Sequence, residues 1–302
     1  MGIAFTVTMS VAFLVCCGGT DHPETAGNGR DAYRIGLAIC MAPETPFFLS
    51  LLEGAEESAR RLNAEIIPVY ACEDPQLQSR QILDLADEGM DAILLNPVSD
   101  AVIPALDSVT SMGVPVFTID RGISSDRVVS HIASDNRAGG RMAGDYLAEA
   151  LNRRGRVVEI MGTEGSSAAM ERGEGFREAL SMHPEIEIVH SFHAEFDRDL
   201  AMEGILDFLE DTVQVDGVFA HNDDMILGAM EAAGAAKAGG ILFIGFDAIE
   251  EAIGAVESGE LLATVAQRPA EMGRLGVETA VDYLSGREVP DSIIVDLALI
   301  LR

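Results

Sequence analysis

From Tyr33 onward the chain alternates short, nearly continuous apolar runs with longer stretches whose apolar residues recur at helical spacing. Strands are predicted over 35–40, 66–70, 92–95, 114–119 and 128–132. The helices between them cover 46–63, a stretch holding Ile82, Leu85 and Ala86 that Gly89 ends, and 102–112. In the first of these, Phe48, Leu51, Leu52, Ala55, Ala59 and Leu62 form one stripe. The pattern then restarts. Helices over 136–152, 168–182, 199–211, 224–236, 250–258 and 271–285 alternate with strands over 156–161, 186–192, 217–220, 241–245 and 262–266. A last strand is expected near 293–300. Strands that are apolar on both faces belong to parallel sheets covered by helices, so the pattern predicts an α/β protein of two doubly wound lobes.

Length and charge narrow this further. The 302 residues suit about two domains, and 48% hydrophobic residues exclude disorder over most of the chain. Twenty Lys and Arg against 50 Asp and Glu leave a net charge of -30. Nucleic-acid binding needs clustered cations, so this balance argues against it, and against adsorption to anionic membranes. Lys237 is the single lysine.

Residues 7–17, VTMSVAFLVCC, form an apolar run too short to span a bilayer but suited to the core of an export signal. Leu14-Val15-Cys16-Cys17 resembles a bacterial lipoprotein box, with Cys17 (or Cys16) as the lipidated residue. No Lys or Arg precedes Arg30, so the usual basic start of such a signal is missing. Residues 18–30 read as a flexible tether, and a periplasmic or cell-surface location follows. Cys40 and Cys72 each end a predicted strand. A disulfide between them is conceivable after export, and two buried thiols are the simpler expectation.

In doubly wound sheets, ligands bind where loops leave the carboxyl ends of the strands. Those ends carry Phe47 and Phe48, Asp120 and Arg121, the segment 164–172 with Arg172, Phe196, Asn222 and Asp223, Asp247, and Gln267. A small polyhydroxylated ring needs this mixture. Carboxylates accept from hydroxyls, guanidiniums donate to them, amides do both, and aromatic rings cover the C–H faces.

At these residues the chain resembles the ribose-binding branch of the periplasmic sugar-binding proteins. The resemblance rests on VVSHIASDNRAGGRMAGDYLAEAL (128–151), TPFF (45–48), IDR (119–121), AAMERGEGF (168–176), AEFDR (194–198), FAHNDDM (219–225), IGFD (244–247) and TVAQ (264–267), and covers about 33–302. It implies the type I periplasmic-binding fold, two Rossmann-like lobes joined by three crossing strands, with ligand contacts at Phe47, Phe48, Asp120, Arg121, Arg172, Phe196, Asn222, Asp247 and Gln267. Where the family has Ser and Asn, this chain has Met41 and Thr45, which keeps ribose in front but brings in another pentose or allose. The implied lobes are 31–134 plus 268–296 and 135–267 plus 297–302, after a leader and tether over 1–30. The implied protein is a monomeric, non-enzymatic solute-binding component of an ABC sugar importer. Its partners are a monosaccharide, the permease and, in a sensory variant, a chemoreceptor or kinase.

Other signals point elsewhere less well. His190 and His193 would face opposite sides of a strand, which disfavours a metal pair. Gly162-x-x-Gly165 and Arg172-Gly173-Glu174-Gly175 fit neither a Walker loop nor a GxGxxG turn. No cofactor is implied. Asp223-Asp224 and Glu250-Glu251 read as helix N-terminal charges. A LacI-type regulator shares the two-lobed core but needs a basic helix-turn-helix, and the first 29 residues hold no Lys or Arg. An enzyme on this scaffold would reveal itself by turnover of a sugar rather than 1:1 binding.

Carboxylates such as Glu53, Glu56 and Glu57 fall on outward helix faces, so most of the negative charge is a solvent-shell property suited to a saline medium. The melting temperature should therefore rise on going from dilute buffer to molar salt, as screening relieves self-repulsion. A flat or falling profile in scanning calorimetry would refute that reading.

Overall fold

A computed structural model of the chain describes residues 32–210 and 214–302. The expected leader, the tether and the lipidation position at Cys17 or Cys16 lie outside the described residues, as does the end of the helix expected over 199–211. The first half runs β1 (Tyr33–Ile39), α1 (Pro46–Arg61), β2 (Ala64–Tyr70), α2 (Pro75–Asp87) and β3 (Ala92–Leu95), then a 3-10 turn at Asp100–Val102 leading into α3 (Ile103–Ser111), β4 (Val116–Ile119) and β5 (Val128–Ser134). The second runs α4 (Asn136–Ala150), β6 (Arg154–Met161), α5 (Ser167–Ser181), β7 (Glu185–His193), α6 (Arg198–Glu210), β8 (Gly217–Ala220), α7 (Asp223–Ala236), β9 (Leu242–Asp247), α8 (Glu250–Ser258) and β10 (Ala263–Ala266). Helix α9 (Pro269–Leu284) and strands β11 (Ser292–Val295) and β12 (Ala298–Ile300) complete the chain.

The strands form two six-stranded sheets of the same winding, β2-β1-β3-β4-β5-β11 and β7-β6-β8-β9-β10-β12. Every pair is parallel except β10 with β12. Strands β3, β4 and β8 are buried at every position, as continuous apolar runs require. Each order reverses beside its first strand, at β1/β3 and at β6/β8, and that reversal opens the crevice in which loops can hold a ligand.

One expectation is corrected here. The single strand expected near 293–300 is two short strands in different sheets: β11 pairs with β5, and after Asp296 and Leu297 the chain adds β12 to β10. Only Asp296 interrupts the apolar run over 293–300, and apolar residues on both sides of it read as one strand. The chain also crosses between sheets after β5 and after β10, where α9 returns to pack on α1 and on β3, β4 and β5. Three segments thus connect the two lobes.

The cysteine expectation also changes. Both thiols are free, with Cys40 fully buried, but Cys72 is exposed beyond the end of β2. Glu53, Glu56 and Glu57 are exposed on α1, in keeping with the solvent-shell placement of charge.

Paired glycines set the helix packing that positions the site. On α4, a Cβ at Gly140 would overlap the carbonyl oxygen of Arg172 on α5. On α5, a Cβ at Gly175 would overlap the carbonyl oxygen of Arg137 on α4. The two backbones therefore touch, and that contact fixes the depth at which Arg172 sits. Gly140→Ala forces them apart, and overpacking of this kind costs about 1–3 kcal/mol. The variant should melt several degrees below the parent by circular dichroism; an unchanged melting temperature would show that the helices can part freely.

Candidate functional site

The carboxyl ends of both sheets face one cleft. Every ligand contact that the resemblance implies lines it, with Met41 and Thr45: Met41, Thr45, Phe47, Phe48, Asp120 and Arg121 from the first lobe, Arg172, Phe196, Asn222 and Asp247 from the second, and Gln267 from the crossing after β10. Pro46, Ala168, Asp224 and Ile249 complete the lining. The lobes meet across it. The Arg121 guanidinium lies 5.0 Å from the centre of the Phe196 ring, and Gly122 N donates to Ser167 Oγ at 2.8 Å. Met41 packs against the apolar cores of both lobes.

Turns with left-handed backbone aim these side chains inward. Asp120 has φ 62°, Phe196 60° and Asp247 114°, conformations that cost a non-glycine residue of order 1 kcal/mol or more. The strain is held by the sheets on either side, because each residue sits at or just past a strand end.

In the first lobe, the Asp120 carboxyl is buried and accepts from Asn96 Nδ2 at 3.0 Å. The same amide donates to Ile119 O, and Asn96 Oδ1 accepts from Cys40 N. Gln78, fully buried on α2, in turn holds Asn96 O and Val98 N. Burial pushes the Asp120 pKa up, and Arg172 and Arg121 pull partly against it. Arg121 donates to both Glu73 oxygens, at 2.9 and 3.4 Å. Burial disfavours its charge, but Glu73 and Asp120 hold the pKa above the usual value. Phe47 and Phe48 meet edge to face at 5.0 Å at the start of α1, where Pro46 occupies the first turn.

In the second lobe, Asp135 caps α4 by accepting from Ala138 N, which places Asn136 to accept from Arg172 Nε at 2.8 Å. Arg172 also donates to His221 O, lies 3.5 Å from Asp247 Oδ1 and stacks 3.8 Å from the Phe246 ring centre. Burial lowers its pKa, with Asp247 and Asp120 opposing. Asn222 caps α7 through Met225 N and donates to Phe196 O. Asp247 accepts from Gln267 Nε2 at 2.7 Å, and burial raises its pKa to about 7 against the pull of Arg172. Gln267 Oε1 is buried and has no hydrogen-bond partner among the described residues.

Sequence reasoning missed the supporting residues Glu73, Gln78, Asn96, Asn136, Glu159 and His221. Asn96 immediately follows β3, so the strand-end rule itself nominates it. Glu73 and Gln78 carried no local signal. Asp223, expected as a helix-end charge, is fully buried and accepts from Thr264 Oγ1 and Ile249 N, tying the start of α8 to β10. His190 and His193 have separate structural partners: the first stacks on Phe208 at 4.7 Å, the second donates to Gly162 O.

A family model described as a periplasmic binding protein domain matches residues 35–288. The ribose import binding protein of Haemophilus influenzae is 40% identical over 267 residues, covering 88% of this chain and 90% of that relative. An ABC transporter periplasmic solute-binding protein from Actinobacillus succinogenes, solved with D-allose, superposes with TM-score 0.83 at 26% identity, covering 89% of this chain and 97% of its own. The fructose-binding periplasmic domain of a hybrid two-component system superposes with TM-score 0.86 at 28% identity, covering 89% and 91%.

The raised pKa of Asp247 fixes the sign of a stability effect. Between its unfolded value near 4 and about 7, the folded protein holds a proton that the unfolded chain has released. Stability therefore falls as pH rises through that window, by at most about 1.4 kcal/mol per pH unit for this group, and levels off above it. Asp247→Asn should gain on the parent from pH 5 to 7 and no further by pH 8, measured as a difference in melting temperature. A difference independent of pH would refute the assignment.

Proposed function

The chain belongs to the periplasmic binding protein family, and from that membership we propose that the cleft captures D-ribose outside the cytoplasm and delivers it to an ABC importer. The family binds solutes rather than transforming them, so the protein is a sugar-binding component and not an enzyme. The observation that carries the ribose reading is the composition of one cleft. Asp120 and Arg121 face it from one lobe, Arg172 and Asp247 from the other, Phe47, Phe48 and Phe196 supply aromatic surface, and Gln267 lines it at the crossing. A pentose ring offers hydroxyls that donate to the carboxylates and accept from the guanidiniums, with C–H faces for the rings.

Capture works by hinge bending. Residues 31–134 with 268–296 move against 135–267 with 297–302 about the three connecting segments. Sugar contacts from both lobes favour the closed state, because only there can one ligand reach both sets. A micromolar dissociation constant needs about 8 kcal/mol net, within reach of several charge-assisted bonds. The monomer then docks on the permease through both lobes, and lipidation at Cys17 (or Cys16) keeps it at the membrane.

A second reading follows from the likeness to a fructose-binding sensor domain: the closed form signals to a chemoreceptor or kinase. Met41 and Thr45 bear on the ligand, since Met41 places a thioether where a hydroxyl would donate, and a hexose such as allose is the alternative.

A thermal-shift screen followed by calorimetry decides among these. Ribose should raise the melting temperature most and bind 1:1 without product, since a ligand of the folded state alone must stabilise it. Arg121→Ala and Asp120→Ala should abolish the heat of binding while both proteins stay folded. A larger shift with allose moves the ligand, and unaltered ribose binding in both variants overturns the site.

A further inference from the structure

Strand β6 carries an anomaly. Its sequence, Arg-Gly-Arg-Val-Val-Glu-Ile-Met, places Glu159 inside an apolar run, and the residue is fully buried. A buried carboxylate must be paired and hydrogen-bonded. Arg177, reaching in from α5 with its side chain 44% exposed, donates through Nη1 to both oxygens at 2.7 and 2.8 Å. On α5, Gly173 leaves the room that this requires, since a Cβ there would crowd both Glu159 Oε1 and the Arg177 guanidinium.

The third member is His221, fully buried just beyond β8. Its Nε2 lies 3.1 Å from Glu159 Oε1, and its Nδ1 accepts from Gly162 N at 3.4 Å. An accepting Nδ1 leaves the proton on Nε2, so the ring donates to Glu159 and is neutral. Burial lowers its pKa in the same direction, against the pull of Glu159. The charged groups facing it are Glu159 from β6 and Arg172 and Arg177 from α5.

Both ends of this residue reach the cleft. The His221 carbonyl accepts from Arg172 Nη1. Gly162, held by the His221 ring, touches Phe196, and a Cβ at Gly162 would overlap the Cζ end of the Phe196 ring. The neighbouring Asn222 donates to Phe196 O. We infer that His221, clamped by the Glu159–Arg177 pair, is the positioning residue of the second lobe's half of the site, setting the guanidinium of Arg172 and the ring of Phe196 at once. This role deepens the sugar-binding reading and rests on it for the ligand alone.

The test combines calorimetry with D-ribose and the side-chain Nε–H spectrum of Arg172 in the ligand-free, 15N-labelled protein. His221→Leu removes both ring hydrogen bonds and should weaken ribose binding by roughly tenfold or more, as expected for loosening a charged donor. It should also shift the Arg172 Nε–H signal and speed its exchange with solvent. His221→Gln restores a donor to Glu159 and should stay within about threefold of the parent, with the signal near its original position. Should the Leu variant fail to fold, Arg177→Met perturbs the same chain from its solvent end and should weaken binding while moving the Arg172 signal. Equal losses in the Gln and Leu variants would mean that ring packing, not hydrogen bonding, matters, and would overturn the proposal. So would folded Leu and Met variants with parental affinity and an unmoved signal. If the parent binds no ribose, the ribose reading falls by itself, and the ligand-free spectra still decide whether His221 positions Arg172.

Discussion

The structure is organised around the cost of burying four ionisable side chains in one cleft. Asp120, Arg121 and Arg172 are buried and Asp247 nearly so, and an unpaired charge in such a place would neutralise or unfold the site. Each is instead held by a group drawn from another element: Asn96 for Asp120, Glu73 for Arg121, Asn136 and His221 for Arg172, Gln267 for Asp247. Those supports leave part of each charged group open to the cleft. A ligand with hydroxyls inherits oriented donors and acceptors and need not order them itself.

The fold was legible because a doubly wound protein writes itself in continuous apolar runs and amphipathic stripes. Strands β3 and β8 and helix α8 fall where the pattern places them, at 92–95, 217–220 and 250–258. The lining of the cleft was legible for a related reason, since strand ends can be found in sequence and chemistry collects there. The supports were not. Glu73 lies 48 residues from Arg121, and Asn136 36 residues from Arg172, and no periodicity links positions that only the sheet order brings together. Glu159 did carry a signal, a carboxylate where both neighbours are buried, but its partner on α5 could not be named from spacing. The last strand failed for the opposite reason: a single polar residue, Asp296, marks the point where the chain changes sheets, with apolar residues on both sides of it.

The net charge of -30 and the buried acids are separate matters. Carboxylates on helix faces such as Glu53, Glu56 and Glu57 stay hydrated, and their mutual repulsion is screened by salt. Asp223, Glu159 and Asp120 are buried, and each has identified hydrogen-bond donors. Salt therefore acts on the first population and leaves the second almost untouched, so the acidic surface can respond to the medium without altering the geometry of the cleft.

Closure has an electrostatic logic that follows from which lobe supplies which charge. Bringing the lobes together sets Asp120 near Arg172, which is attractive, but also Arg121 near Arg172 and Asp120 near Asp247, which are not. The two guanidiniums flank the same Phe196 ring, at 5.0 and 6.0 Å from its centre. An empty closed cleft thus sets like charges as well as unlike ones across the lobes, along with the apolar contacts of Met41 and the Gly122–Ser167 bond. A hydroxyl placed between unlike groups donates to a carboxylate and accepts from a guanidinium at once, and a ring carrying several of them separates the like charges that closure would otherwise bring together. In the proposed hinge motion the bias toward the closed state comes from the ligand's hydroxyl pattern, so the same contacts set affinity, selectivity and the conformational change.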